Sequence, residues 1–208
     1  VVRGQYDKGI INGEEANADR EGTGVDEDSN TETYVAAKLM IDNFRWSGVP
    51  FYIRTGKRMK QKSTEIVVEF KDLPINLYYG NEEDKKPNLL VIHIQPYEGI
   101  TLHMNAKKGD MNATSTPVAL TYDNSTDKMN TPEAYETLIY DCMRGDSTNF
   151  THWNEVALSW KFVDVIANVW NSKKAEFPNY ESGSNGPKAA DELLLNDGYS
   201  WWDVSPKE

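Results

Sequence analysis

The feature that most constrains this chain is a succession of short segments in which apolar residues occupy every second position. Such alternation is the pattern of a β-strand with one face buried. It occurs at residues 34–41, 51–54, 65–70, 90–95, 100–107 and 118–122. In the first of these segments it places Val35, Ala37, Leu39 and Ile41 on the apolar side. A run of strands that precedes the first helix predicts a large, mostly antiparallel sheet as the main structure.

Three helices are predicted in the last third of the chain. Thr131 is suited to cap the first helix, Pro132 fits its first turn, and Gly145 fits its end. A second helix is predicted to start after Thr151, to end near Asn171 and to pack an apolar stripe on the sheet. A third is predicted over residues 188–195. The chain is therefore expected to be an α+β protein with helices packed on one face of its sheet.

Residues 13–30 are rich in Glu, Asp, Asn and Gly and predict a long, mobile loop. Asp26, Asp28 and Asn30 imitate the start of a calcium loop, but Thr31 stands where the loop needs Gly. The three His residues have no second His or Cys at a metal-ligand spacing, so each is expected to have a structural role or to lie at the protein surface. The sequence predicts no metal site.

Composition limits the partners and the setting. The 208 residues are 38% hydrophobic and 26% charged, which is typical of a globular protein, and one domain is expected. The net charge of -11 repels phosphate backbones and anionic lipid surfaces, so neither nucleic acid nor a membrane is expected as a partner. The single Cys142 cannot form an internal disulfide, and no apolar run approaches the roughly 20 residues of a membrane span. These features favour the cytoplasm.

One basic segment contrasts with this acidic background. The sequence RTGKRMKQK covers the end of the strand at 51–54 and the turn that follows, and contains Arg54, Lys57, Arg58, Lys60 and Lys62. Basic side chains at a turn suit a phosphate or carboxylate group, because charge-assisted hydrogen bonds to an anion are strong. The alternative is an ordinary solvated turn, which composition alone favours. No Gly-rich dinucleotide motif or P-loop accompanies the turn, so any nucleotide is expected to be held mainly by another domain.

Taken together, the longer motifs resemble the carboxy-terminal domain of glucose-6-phosphate dehydrogenase of the bacterial type. They are RGQY from Arg3, TETYVA from Thr31, RWSGVPFYIRTGK from Arg45, IQP from Ile94, AYETLIYDCMRGDSTNF from Ala134, YESGSNGPKAADELL from Tyr180 and the closing GYSWW. The resemblance covers residues 1–208 in order. It implies that an amino-terminal NADP-binding Rossmann domain is absent from this chain. The start at Val1, without an initiator Met, likewise suggests a fragment.

The resemblance implies an enzyme that oxidises D-glucose 6-phosphate to 6-phosphoglucono-1,5-lactone with NADP in the pentose phosphate pathway. In this family the general base and the Gly-rich cofactor loop belong to the amino-terminal domain. No catalytic residue is therefore expected in this chain, and the fragment alone is expected to be inactive. The family uses the sheet for subunit pairing, which implies a homodimer or a homotetramer.

The resemblance also assigns individual residues. Lys57 matches a family lysine that contacts the substrate, and Lys62 matches a basic position five residues later. Gln95, in the QP corner, and Arg54 are expected near the site. Arg54 matches a basic contact of a second, structural NADP found in eukaryotic members, but Val67 stands where another contact is required. A structural NADP is therefore not expected.

Two other functions remain open on sequence grounds. A non-catalytic sheet domain could serve as a binding or oligomerisation module, which would explain the absent nucleotide loop without a missing domain. A carbohydrate-binding module could use exposed Trp and Tyr side chains, and it would bind neutral sugars, whereas the family enzyme requires the phosphate.

Overall fold

The structure is a computed structural model that describes residues 1–72, 86–96, 98–109, 115–123 and 133–204. It confirms the α+β class with antiparallel sheets. The described strands are Val2–Gly4 (β1), Tyr6–Asp7 (β2), Gly9–Ile11 (β3), Glu14–Ala16 (β4), Tyr34–Met40 (β5), Pro50–Gly56 (β6), Thr64–Glu69 (β7), Leu89–Gln95 (β8), Gly99–Lys107 (β9), Ser115–Asp123 (β10) and Tyr180–Glu181 (β11). The helices are Ala134–Arg144 (α1), Trp153–Asn171 (α2) and Lys188–Leu195 (α3), with a short 3₁₀ helix at Asp19–Glu21.

The chain divides into two compact units. The first, here called the mixed unit, consists of Val1–Gln61 and the chain from Asp141 onward. It contains a three-stranded antiparallel sheet in the order β1-β5-β6 and two short ladders, parallel β11-β2 and antiparallel β3-β4. The second, here called the sheet unit, is Lys62–Tyr140 and contains a four-stranded antiparallel sheet in the order β10-β9-β8-β7. The predicted strands are present, but they form two sheets instead of one.

The core of the mixed unit lies between β5 and α3. Tyr34 and Ala36 are 1% and 0% exposed and pack with Tyr180 and Ala190. The alternation predicted the opposite face, where Ala37 is buried (2% exposed) and Val35 is partly buried; the structure adds the face of Tyr34 and Ala36 to the core. The physical reason is that the small Ala36 admits α3 and the Tyr34 ring is largely apolar, so both count as core residues once a helix covers them.

The predicted helix bounds are confirmed where the structure describes them. Thr131 and Pro132 lie outside the described residues, but α1 ends at Arg144, followed by Gly145 at φ 69°. The N–H of Gly145 donates to the Cys142 carbonyl (3.1 Å), as expected for a glycine that ends a helix. The bounds of α3 agree with the prediction, and α2 begins one residue after His152, whose side chain accepts from the Asn154 N–H.

The packing predicted for α2 is wrong. No residue of this helix is buried, and Trp160, in the predicted core-facing stripe, is 62% exposed. Its carboxy-terminal end is held instead by Arg3 of β1, which donates to the carbonyls of Trp170 and Lys173. Each helix in the described part of the chain is too short or too polar to span a bilayer.

The segment 13–30 is more structured than predicted. It contains β4 and the 3₁₀ helix, and polar bonds anchor it in place of apolar contacts. Arg20 donates from Nε and Nη2 to the Ser29 carbonyl, and the fully buried Gln5 amide donates to the carbonyls of Ser29 and Thr31. The β3-β4 turn is Asn12-Gly13, with φ 52° and 84°. This dipeptide is a strong hairpin signal that the sequence already carried.

Candidate anion site at the basic turn

The basic turn begins where β6 ends at Gly56. A side chain at Gly56 would place its Cβ 2.5 Å from Cδ2 of Tyr34, so the close approach of the core requires glycine here. The backbone bends sharply two residues later, at Arg58, which has φ 51°. A non-glycine residue in this left-handed region is strained unless its surroundings hold it.

Four hydrogen bonds hold the backbone of the turn. The Lys57 N–H donates to the Thr33 carbonyl (2.8 Å), and the Lys57 carbonyl accepts from the Tyr180 hydroxyl (2.9 Å). The Arg58 carbonyl accepts from the Gly183 N–H (2.7 Å), and the Lys60 N–H donates to the Ser184 carbonyl (2.8 Å). These bonds fix the backbone from which the basic side chains project. The turn is therefore preorganised, unlike a loose solvated loop.

Lys57 and Arg58 are exposed and line an open cleft of about 610 Å³ in the mixed unit. Tyr6, Asp19 and Glu32 line it as well. Burial, followed by the Asp19 carboxylate, raises the pKa of the Tyr6 hydroxyl, so Tyr6 stays a neutral hydrogen-bond donor at neutral pH. The cleft thus offers a cationic side next to an acidic side, which suits a ligand with one anionic group and several hydroxyls.

Two other cations of the basic segment are engaged elsewhere. The Lys60 ammonium lies 3.7 Å from the Asp203 carboxylate, and both side chains are exposed. The Arg54 guanidinium lies 4.6 Å from the centroid of the Trp201 ring and donates to the Trp202 carbonyl (3.1 Å). Arg54 therefore holds the GYSWW segment and does not line the cleft.

Lys62 and Gln95 belong to the sheet unit. Lys62 is exposed just before β7, and Gln95 ends β8. Gln95 donates from Nε2 to the Thr64 hydroxyl (2.9 Å), and Ser63 donates to the Gln95 carbonyl (3.3 Å). The structure thus places the QP corner beside the start of β7, two residues from Lys62. Lys57 and Arg54 lie in the mixed unit.

His93 has the structural role that the sequence suggested. Its Nδ1 lies 3.1 Å from the Glu65 carboxylate and its Nε2 lies 3.2 Å from the Thr101 hydroxyl, on one face of the sheet unit. Both the His93 and the Glu65 side chains are largely buried. Within the part of the chain that the structure describes, no group of three His, Cys, Asp or Glu side chains could hold a metal ion.

The described residues do not form a Rossmann dinucleotide site. Gly22 and Gly24 lie in the loop after the 3₁₀ helix, with no strand leading into them and no α-helix following. Among the described strands the only parallel pairing joins the two-residue strands β11 and β2. A Rossmann site is a parallel strand-helix-strand unit that places the dinucleotide phosphates at the start of the helix. No step of a reaction can therefore be assigned to a cofactor held by these residues.

The residues that anchor the turn were not predicted. Thr33 and the segment from Tyr180 to Ser184 are remote from Lys57 along the chain, and in the sequence they stand only within the family motifs, without a role. A local sequence pattern cannot predict the contact between Tyr180 and Lys57, because these residues are 123 positions apart. The available signal was the cluster of Gly residues in YESGSNGP, because glycine often marks a close approach of backbones.

Comparisons with known proteins agree with this architecture. The family model for the glucose-6-phosphate dehydrogenase C-terminal domain matches residues 1–202. Glucose-6-phosphate 1-dehydrogenase of Bacillus subtilis (strain 168) is 63% identical over 204 residues, which is 98% of this chain and 42% of that protein. The enzyme of Chlamydia pneumoniae is 46% identical over 206 residues, 97% of this chain and 40% of that protein.

Solved structures give the same result. A glucose-6-phosphate dehydrogenase in complex with its substrate glucose-6-phosphate has a TM-score of 0.81 and 32% identity, covering 97% of this chain and 41% of that one. Glucose-6-phosphate 1-dehydrogenase from Mycobacterium avium has a TM-score of 0.77 and 31% identity, covering 99% of this chain and 40% of that one. The chain therefore spans about 40% of the length of the relatives it matches. It belongs to the family of glucose-6-phosphate dehydrogenase C-terminal domains.

Proposed function

We propose that residues 1–208 form the substrate-binding and oligomerisation domain of an NADP-dependent glucose-6-phosphate 1-dehydrogenase. That enzyme oxidises D-glucose 6-phosphate to 6-phosphoglucono-1,5-lactone. The observation that carries the proposal is the preorganised turn that presents Lys57 at an open cleft. It occurs in a chain similar over 97% of its length to a dehydrogenase solved with glucose-6-phosphate.

In this mechanism the chain's own residues bind and orient the substrate. The Lys57 ammonium pairs with the sugar phosphate, which is remote from the carbon that is oxidised. Binding energy gathered at a remote group can hold the reacting alcohol in line for hydride transfer. The base and the NADP site belong to the part of the enzyme outside this chain. We infer that the chain alone does not form NADPH from glucose 6-phosphate.

We assign supporting roles to the other predicted residues. Lys62 contributes a further contact to the substrate, and Gln95 lies near the substrate site. Arg54 holds Trp201 and Trp202 and does not bind substrate directly. We propose that the domain carries no second NADP, because Arg54 is committed to these tryptophans and Val67 offers no charge. The free thiol of Cys142 is exposed, which suits the reducing cytoplasm.

We also propose a homodimer or homotetramer that forms through the sheet unit. Directly paired strand residues point to the same face of a sheet. One face carries the row Ile66, Ile92, Ile100 and Tyr122 and the next row Val68, Leu90, Leu102 and Leu120. The outer members of both rows are exposed. An exposed, contiguous apolar face is typical of an interface between subunits.

The function is tested by replacing Lys57 in the full-length dehydrogenase that contains this chain. Removing one charge-assisted contact costs about 1.5 to 3 kcal/mol, which lowers kcat/KM for glucose 6-phosphate by roughly ten-fold to a hundred-fold. Lys57→Ala should show this loss, and Lys57→Arg should keep part of the activity because the positive charge remains.

Lys60→Ala is the matched control. It removes a lysine three positions away whose ammonium faces Asp203, so kcat/KM should stay within about two-fold of the unmodified enzyme, as for most surface substitutions. Equal kcat/KM values for the unmodified enzyme, Lys57→Ala and Lys60→Ala would show that the turn is only a solvated surface feature.

A further inference from the structure

The Tyr180 hydroxyl lies at the centre of the contacts that hold Lys57. Tyr180 is 5% exposed, and its ring packs against those of Tyr34 and Tyr6 at centroid distances of 5.4 and 6.4 Å. Its oxygen lies 2.9 Å from the Lys57 carbonyl, 3.0 Å from the Thr33 hydroxyl and 3.3 Å from the Thr33 carbonyl. A phenol has a single hydrogen, so it can donate fully to only one of these oxygens.

The distances assign the direction of each bond. The Thr33 hydroxyl accepts from the Tyr6 N–H (3.1 Å), so its own hydrogen is free to be donated to the Tyr180 oxygen. Tyr180 then donates to the Lys57 carbonyl, the shortest of its contacts. The Lys57 backbone is also held at its N–H, which donates to the Thr33 carbonyl. Lys57 is thereby bonded at both its N–H and its carbonyl.

The segment that carries Tyr180 is itself immobilised. β11 pairs in parallel with β2, and a Cβ at Gly9 would lie 2.0 Å from the Ser182 carbonyl oxygen. Gly183, at φ 84°, approaches so closely that a Cβ would lie 2.1 Å from the Ile10 carbonyl oxygen. The next contact is the bond from the Gly183 N–H to the Arg58 carbonyl, which supports the strained Arg58 backbone. A rigid element therefore holds a strained turn.

We propose that Tyr180 is a positioning residue for the substrate phosphate. Its hydroxyl accepts from the Thr33 hydroxyl and donates to the Lys57 carbonyl, which fixes the Lys57 backbone so that the ammonium is presented to the cleft. Tyr180 does not touch the substrate in this proposal; it acts through Lys57. The inference rests on the proposed function of Lys57. It accounts for a buried hydroxyl whose bonds converge on the one turn that carries the substrate lysine.

The test is Tyr180→Phe in the full-length dehydrogenase, because this change removes the hydroxyl and keeps the packed ring. Loss of one hydrogen bond should raise KM for glucose 6-phosphate by about two-fold to ten-fold. The value of kcat and the KM for NADP should stay within about two-fold. In the Lys57→Ala background, Tyr180→Phe should raise KM no further, because residues that act through one contact are not additive.

Tyr34→Phe is the matched control. Tyr34 is equally buried in the same cluster, but within the described residues its hydroxyl has no hydrogen-bond partner. Its replacement should leave both KM values unchanged. Should Tyr180→Phe fold poorly, Thr33→Val interrupts the same relay at its other end and should also raise KM for glucose 6-phosphate.

Three results would overturn the proposal while leaving Lys57 in its role. The first is an unchanged KM for glucose 6-phosphate in Tyr180→Phe. The second is a further rise in this KM when Tyr180→Phe is added to Lys57→Ala. The third is a fall in kcat together with a rise in the KM for both glucose 6-phosphate and NADP. Failure of the proposed function itself has a different signature, because Lys57→Ala would then have the kinetics of the unmodified enzyme.

Discussion

Among single residues, Asp197 shows how neighbours set the ionisation of a surface carboxylate. Lys38 lies 2.6 Å from its Oδ2, and the Tyr52 hydroxyl donates to the same oxygen. The bond from Lys38, followed by that from Tyr52, holds the pKa of Asp197 below its usual range. These contacts join β5 and β6 to the residues that follow α3. Favourable partners of the charged form therefore make a local contribution to stability that depends on pH.

A carboxyl whose pKa is lowered in the folded state stabilises the protein above its unfolded pKa of about 3.9, and this stabilisation is lost as pH falls through the folded value. Asp197→Asn should therefore lower Tm at pH 6. The difference from the unmodified chain should shrink as pH falls from about 4 toward 2. Thermal unfolding across this range measures it, and a difference that persists at the lowest pH would contradict the assignment.

Among the elements, the close packing of α3 on β5 depends on a glycine that precedes α3. Gly186, at φ 106°, lies just before α3 and faces the Tyr34 ring of β5. A Cβ there would lie 2.3 Å from Cε2 of that ring, closer than real atoms approach. Gly13, at φ 84°, occupies the β3-β4 turn with open space around it. Both residues need the left-handed region, but only Gly186 also needs the missing side chain.

This contrast gives a paired stability prediction. Gly13→Ala should cost about 1 to 2 kcal/mol, the strain of a left-handed alanine. Gly186→Ala should cost that amount and about 1 to 3 kcal/mol more, because the added methyl group must displace a buried ring. Urea unfolding of both variants measures the difference. Equal losses in the two variants would show that the Tyr34 ring yields without cost.

At the scale of the whole molecule, each of the two units exposes an apolar surface to solvent. The face of the sheet unit that carries Leu120, which is 60% exposed, has no cover among the described residues of that unit. The helix α2 likewise buries none of its residues. Such surfaces are stable in water when another surface covers them. This is the physical ground for the proposed oligomer.

The oligomer prediction is tested by placing a charge on that face. Leu120→Glu in the full-length dehydrogenase should shift sedimentation at micromolar concentration toward the monomer, because an unpaired carboxylate in an apolar interface is costly. Ala119→Glu is the control, since Ala119 is exposed on the opposite face of the same strand. Identical sedimentation of Leu120→Glu and the unmodified enzyme would exclude this face as the interface.

The sequence by itself determined the longer strands and helices and the family of this protein, but not the short strands β1 to β4 and β11. Alternation predicted β5 to β10, and capping and apolar spacing predicted the bounds of α2 and α3. Such patterns are local, because strand and helix periodicity and terminal residues are properties of neighbouring positions. The concentration of basic residues after β6 was likewise visible in the sequence. Long motifs in family order identified the domain before any contact was known.

Tertiary structure alone decided which faces are buried and what holds the site. The core face of β5 follows from the approach of α3 to Ala36, and the exposure of α2 follows from the absence of a covering surface in this chain's described residues. The bond from Tyr180 to Lys57 joins residues 123 positions apart. Burial and remote hydrogen bonds depend on which segments meet in space, and a local pattern carries no information about that.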